Sequence, residues 1–178
     1  MNLLHGRTKV NPNSRDTFGN TSLTCAARGG HEGIVKLLLD RKEVSPDSRN
    51  RFGETPLQCA VERGYEGIVK LLLDRKDINP DSRDSDGITP LWCAARGGYE
   101  GIVKLLLDRK EVNPAPRYGC DRALLSTTHH RNEGIRKLLQ DRLDAESNTQ
   151  ANCTPMSLCY LSESSYESLD CWGDYCYG

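Results

Sequence analysis

Eight cysteines and four histidines are the side chains of this 178-residue chain best suited to hold a metal or attack a substrate, so their spacing decides which chemistry is open. Cys25, Cys59 and Cys93 recur at an interval of 34 residues. An interval that regular puts them on equivalent elements. Neighbouring helices pack about 8–10 Å apart, whereas a disulfide needs Cα atoms within about 7 Å. The three thiols therefore do not bridge one another in a regular stack, and they read as small packing residues in a reducing compartment. Cys153, Cys159, Cys171 and Cys176 lie near the C-terminus without a histidine among them, in loops looser than structural zinc favours. His129 and His130 are adjacent, and on a helix such neighbours diverge instead of converging on one ion. "GGHEGIVK" has glycines and a lysine but lacks the spacing of a phosphate loop and has no hydroxyl after Lys36. No nucleophile, base and orienting group can be assembled from the remaining serines and histidines. Catalysis, a metal and a cofactor are not expected.

Composition narrows the class further. Apolar residues make up 37% and aromatics 6% of the chain, too few aromatics for a large ring-filled core. With a net charge of −1 the chain does not have the profile of a nucleic-acid binder. No apolar run of membrane-spanning length occurs, and "MNLLHGRTKV" lacks the apolar stretch of a secretory signal. A cytoplasmic or nuclear location is expected, and the acceptor patterns at Asn20 and Asn152 should then go unglycosylated. Charge is divided unevenly. Residues 1–145 carry all 24 basic residues and 20 of the 25 acids, whereas 146–178 carry five acids and no base. That break marks the best domain boundary.

What positions these residues is a repeat. "HEGIVKLLLDRK" begins at His31, and "YEGIVKLLLDRK" begins at Tyr65 and again at Tyr99, each 34 residues after the last. The copies align as 11–44, 45–78 and 79–112, and an eroded fourth, "NPAPRYGCDRALLSTTHHRNEGIRKLLQDRLD", follows. Leu3, Leu4 and Arg7 match the end of a still earlier copy. Within a unit, Thr55 is suited to cap a helix whose first residue is Pro56. Leu57, Ala60, Val61 and Gly64 form one apolar stripe, with Gly64 ending the helix. A second helix follows, with Ile68, Val69, Leu71, Leu72 and Leu73 inside and Glu66, Lys70, Asp74 and Arg75 in water. Pro80, Asp81, Ser82 and Gly87 supply turn chemistry before the next cap.

One unit alone is not stable. Ordering its backbone costs roughly 1–2 kcal/mol per residue, and each leucine returns roughly 1.5–3 kcal/mol only when covered. Stacked copies cover one another.

"DGITPLWCAARGGYEGIVKLLL" resembles the ankyrin repeat in its Gly, Thr-Pro-Leu, Ala-Ala, Gly and Val-x-Leu-Leu landmarks. The uniformity of the copies is similar to that of long arrays in filamentous fungi. The resemblance covers about residues 2–145 and implies an all-α solenoid of helix-turn-helix units with hairpin-like loops. It divides the chain into a half unit at 1–15, repeats near 16–49, 50–83, 84–117 and 118–145, and a C-terminal tail at 146–178. Thr154–Leu169 offers a degenerate capping copy within that tail. Three departures stand out. Thr24, Gln58 and Trp92 replace the family's histidine, removing its hydrogen bond. "RKE" and "RKD" replace the glycine-bearing end of the second helix. In the fourth copy Thr127, Thr128, His129 and His130 stand where Ala94, Ala95, Arg96 and Gly97 sit one unit earlier, and wide residues in place of two alanines should loosen that end.

The resemblance further implies a non-catalytic module that binds another protein on a concave face of loop tips and first helices. A monomer is expected, with neither nucleic acid nor membrane as partner. Positions that differ between copies locate the variable surface: Phe18 and Asn20 in the first loop, Arg51, Phe52 and Glu54 in the second, Asp86 and Ile88 in the third. On the first helices Gln58 and Trp92 differ, as do Arg28, Glu62 and Arg96. Phe18, Phe52 and Trp92 are the natural anchors. Alternatively the chain is a remnant of a larger array without activity of its own. Tyr160, Tyr166, Trp172, Tyr175 and Tyr177 in the acidic tail could form a linear motif.

Overall fold

The structure is a computed structural model and describes residues 11–114 and 132–149. Its elements are helices α1 (Ser22–Arg28), α2 (Glu32–Leu39), α3 (Pro56–Glu62), α4 (Glu66–Leu73), α5 (Pro90–Gly97), α6 (Glu100–Leu107) and α7 (Glu133–Thr149). Residues 1–10 of the half unit at the N-terminus, the substituted segment Thr127–His130 and the tail copy at Thr154–Leu169 lie outside the described residues. Helix α7 runs on to Thr149, past the charge break at 145.

The first helix of each unit starts as its caps dictate. Thr21, Thr55 and Thr89 are extended, and each hydroxyl accepts the backbone N–H three residues on. Pro56 and Pro90 occupy the first turn, where no N–H is needed. Gly64 then turns the chain with φ of 72°, a left-handed conformation that a side chain would strain. The reversal also leaves room for a neighbour: a Cβ built on Gly64 would meet the Tyr99 ring of the next unit at 2.6 Å.

Units stack in sequence order. Helix α1 packs on α3 and α3 on α5, while α2 packs on α4 and α4 on α6, which meets α7. Leu23, Leu57 and Leu91 of the first helices and Val35, Val69 and Val103 of the second fill one continuous core, and Ala27, Ala60 and Ala94 let the pairs approach closely. This is the cover that a single unit cannot supply for itself.

The second helices end differently from the expectation. They stop at Leu39, Leu73 and Leu107, with the following Asp as C-cap. Arg75, expected in water, reaches back to the previous unit and donates to the Leu39 carbonyl at 2.7 Å; Arg109 does the same to Leu73 at 2.9 Å. The arginine thus satisfies an orphan carbonyl of the neighbour's last turn. Gly67, the second residue of its helix, faces the Glu32 carboxylate: a Cβ there would come within 2.7 Å of it. That glycine is a seat for the preceding unit's acid, placed where the helix dipole favours it.

Candidate interaction surface

Each loop between units is a five-residue turn organised by its first side chain. Asp16 Oδ1 accepts from the Phe18 and Asn20 N–H groups, Asn50 Oδ1 from Phe52 and Glu54, and Asp84 Oδ1 from Asp86 and Ile88, all at 2.8–3.0 Å. The Asn20 amide also bonds Asp16, which holds that carboxyl below its ordinary range. Gly53, at φ 76°, closes the second turn, and its N–H donates to the Asn50 carbonyl at 3.1 Å. Short Asx-type turns of this kind are self-sufficient, so their tips are free to vary.

The tips are tied to one another. Arg51 N–H donates to the Phe18 carbonyl and Ser85 N–H to the Phe52 carbonyl, both at 2.9 Å. Beneath them Arg15 bonds Gly19 and Arg49 carbonyls, and Arg49 bonds Gly53 and Arg83 carbonyls. The result is a ladder of backbone bonds along one edge of the stack. Phe18 and Phe52 project from it at 57% and 55% exposure, with Arg51 and Asp86 also exposed.

The first helices floor the surface beside this edge. Arg28 forms an ion pair with Glu54 at 2.5 Å and donates to the Cys59 sulfur at 3.3 Å. Glu62 is exposed as a residue, yet its carboxyl lies low. Desolvation, followed by the charge of Glu54, raises its pKa above the ordinary value. Trp92 is partly buried against the core with the Arg96 guanidinium 5.1 Å from its ring centroid, a cation–π contact. Ile88 is likewise partly buried.

Two expected surface residues are interior. Gln58 is fully buried, and its amide donates to Asp84 Oδ2 at 2.8 Å and to the Ile88 carbonyl at 3.3 Å. At a position where the sequence suggested the loss of the family's hydrogen bond, Gln58 thus bonds to the next unit. Asn20 is buried too, accepting from the Asn50 amide at 3.1 Å. Both are bonded to the next unit and do not face outward.

The thiols follow the stack. Cys59 and Cys93 are buried, which pushes their pKa values up to about 11 and about 12, far from a reactive thiolate. Cys25 is exposed, and all three are free. Among the described residues no group of three His, Cys, Asp or Glu side chains converges as a metal would require. No helix among them is long and apolar enough to cross a membrane. Sequence reasoning missed the Arg15–Arg49 ladder and the Arg28–Glu54–Cys59 contact. The first had a signal, an arginine recurring in "SRD" and "SRN"; the second had none.

No curated protein matches the chain. The family model for ankyrin repeats in three copies matches residues 1–84, and that for a single ankyrin repeat matches 86–117. Ankyrin repeats generally serve as protein-interaction modules and are generally non-catalytic. With matched segments over most of its length and a stack of paired helices to go with them, the chain belongs to the ankyrin repeat family.

Proposed function

We propose that the chain is a non-catalytic binding module that holds a protein partner against the loop tips and the adjoining first helices. The observation that carries this reading is the pair Phe18 and Phe52. Two large apolar rings stand exposed on neighbouring tips whose backbones are bonded to each other. Aromatic anchors on a rigid base lose little conformational entropy on binding. Arg51 and Asp86 flank them, and Arg28, Glu54, Glu62, Ile88, Trp92 and Arg96 form the floor. Asn20 and Gln58 act beneath, holding the tips in place.

The test is the double variant Phe18→Ala, Phe52→Ala. Both rings are more than half exposed, so the far-ultraviolet helical signal and the melting temperature should stay nearly unchanged. Capture of the partner from extracts of the native host should fall by tenfold or more, on the order of 2 kcal/mol for the pair. Capture at the level of the parent chain would remove the tips from the interface.

A further inference from the structure

The first helices carry a charge at one repeating place: Arg28 ends α1, Glu62 ends α3 and Arg96 lies in the last turn of α5. Both arginines are engaged within the chain. Arg28 pairs with Glu54 at 2.5 Å and donates to the Cys59 sulfur, and Arg96 lies over the Trp92 ring. The neighbouring acids are engaged as well, Glu54 by Arg28 and Asp84 by the Gln58 amide at 2.8 Å. Glu62 differs. Among the described residues no hydrogen bond or ion pair reaches its carboxylate. Desolvation, with the charges of Glu54 and Asp84, raises its pKa against the opposing pull of Arg28 and Arg63. Holding a charge there costs the free chain stability, because the lost hydration is not replaced by a partner. A neutral amide of the same shape would suit the fold better, so the bare charge points to a counter-charge from outside.

We propose that the partner carries an arginine or lysine that pairs with Glu62, in a segment whose apolar residues reach the Phe18 and Phe52 tips. This rests on the reading of the tips and first helices as the docking face. Helix α3 packs between α1 and α5, so Glu62 lies in the middle of that floor, and as a residue it is still exposed to an incoming chain. An apolar group laid over Glu62 would leave its charge covered and unpaired, which is costly. An acidic group would meet Glu62, Glu54 and Asp84 while both floor arginines are already engaged. A cation gains a charge-assisted bond that strengthens as the partner excludes water. The same carboxylate thus attracts a basic segment and rejects the alternatives.

The experiment pans the full chain against random peptides displayed on phage, beside Glu62→Gln and the Phe18→Ala, Phe52→Ala variant. Peptides held by the parent chain should be enriched in arginine and lysine, and synthetic copies should bind Glu62→Gln at least about tenfold more weakly. The free Glu62→Gln chain should keep or raise its melting temperature, since it loses an unpaired charge. A clear fall would overturn the proposal, by showing that the carboxylate already has a partner within the fold. Peptides that need the phenylalanine pair yet bind Glu62→Gln as tightly as the parent would also overturn it, leaving the docking face in place. Basic peptides that need Glu62 but not the phenylalanines would uphold the cation and remove the tips from the interface. A library yielding no binder that depends on either would overturn both readings.

Discussion

Asp47 stands where the preceding unit has Asn13, and the two side chains fare differently. Asn13 donates its amide to one backbone carbonyl and accepts an N–H with its oxygen. Asp47 accepts the Asn79 N–H, but its Oδ1 is buried without a partner, and burial raises its pKa. Asp47→Asn should supply the missing donor and stabilise the chain by about 1 kcal/mol, seen as a melting temperature some 2–4 °C higher; a lower one would refute this account. Burial raises Asp81 as well, and Glu62 is raised by desolvation and Glu54. A raised carboxyl stabilises the fold below its unfolded pKa and loses that contribution as pH climbs through the folded value. These three groups should therefore contribute more to stability in mild acid near the carboxylate range than at neutrality, so the melting temperature of Asp47→Asn relative to the parent chain should be higher at neutrality than in mild acid. Thiol alkylation gives a separate check: peptide mapping should find Cys25 modified rapidly, and Cys59 and Cys93 only on unfolding. Comparing Asn13 with Asp47 was possible from the sequence. The unpaired oxygen was not, because burial depends on the neighbouring unit.

The paired helices were legible where their signals are local. Thr55 followed by Pro56 announces a capped start, and the structure shows that cap. Ends were harder to read, because what finishes the second helix comes from another unit. Arg75 looks like a solvated charge in its own helix, yet it serves the carbonyl of Leu39, 36 residues earlier. Arg75→Ala should cost about 1–2 kcal/mol, and hydrogen exchange should show the loss at the end of α2 as well as of α4. A loss confined to α4 would mean the bond contributes nothing across the units. Gly67 carries the same lesson. As a helical residue it looks like a weak choice, and only the Glu32 carboxylate lying across it supplies the reason. In Gly67→Ala the exposed Glu32 carboxylate can swing aside at little cost, so the gain in helix propensity should leave the melting temperature unchanged or slightly higher; a clear fall would show that Glu32 is held in its seat.

At the scale of the molecule, periodicity carried most of the reading. Thirty-four-residue copies with alternating caps and leucines admit little besides a stack. The variable surface was only partly legible. Differences among copies mark outward residues such as Phe18 and Phe52, but Asn20 and Gln58 also differ and are buried, bonded to Asn50 and Asp84 across the joint. Leu72 lies at the centre of the stack, fully buried. Leu72→Ala should cost about 2–5 kcal/mol and lower the whole helical transition; a loss restricted to α4 would show that the units melt independently. The ladder of tips, the arginines bonding one unit back and the acids seated on the next glycine all repeat by translation. Each module thus offers its successor nearly the same surface that it received. Excising residues 42–75 would join Arg41 to Lys76 with every later contact restored, apart from pairs such as Arg28 with Glu54. Array length is therefore free to change by whole modules through unequal recombination, without any new interface having to be invented.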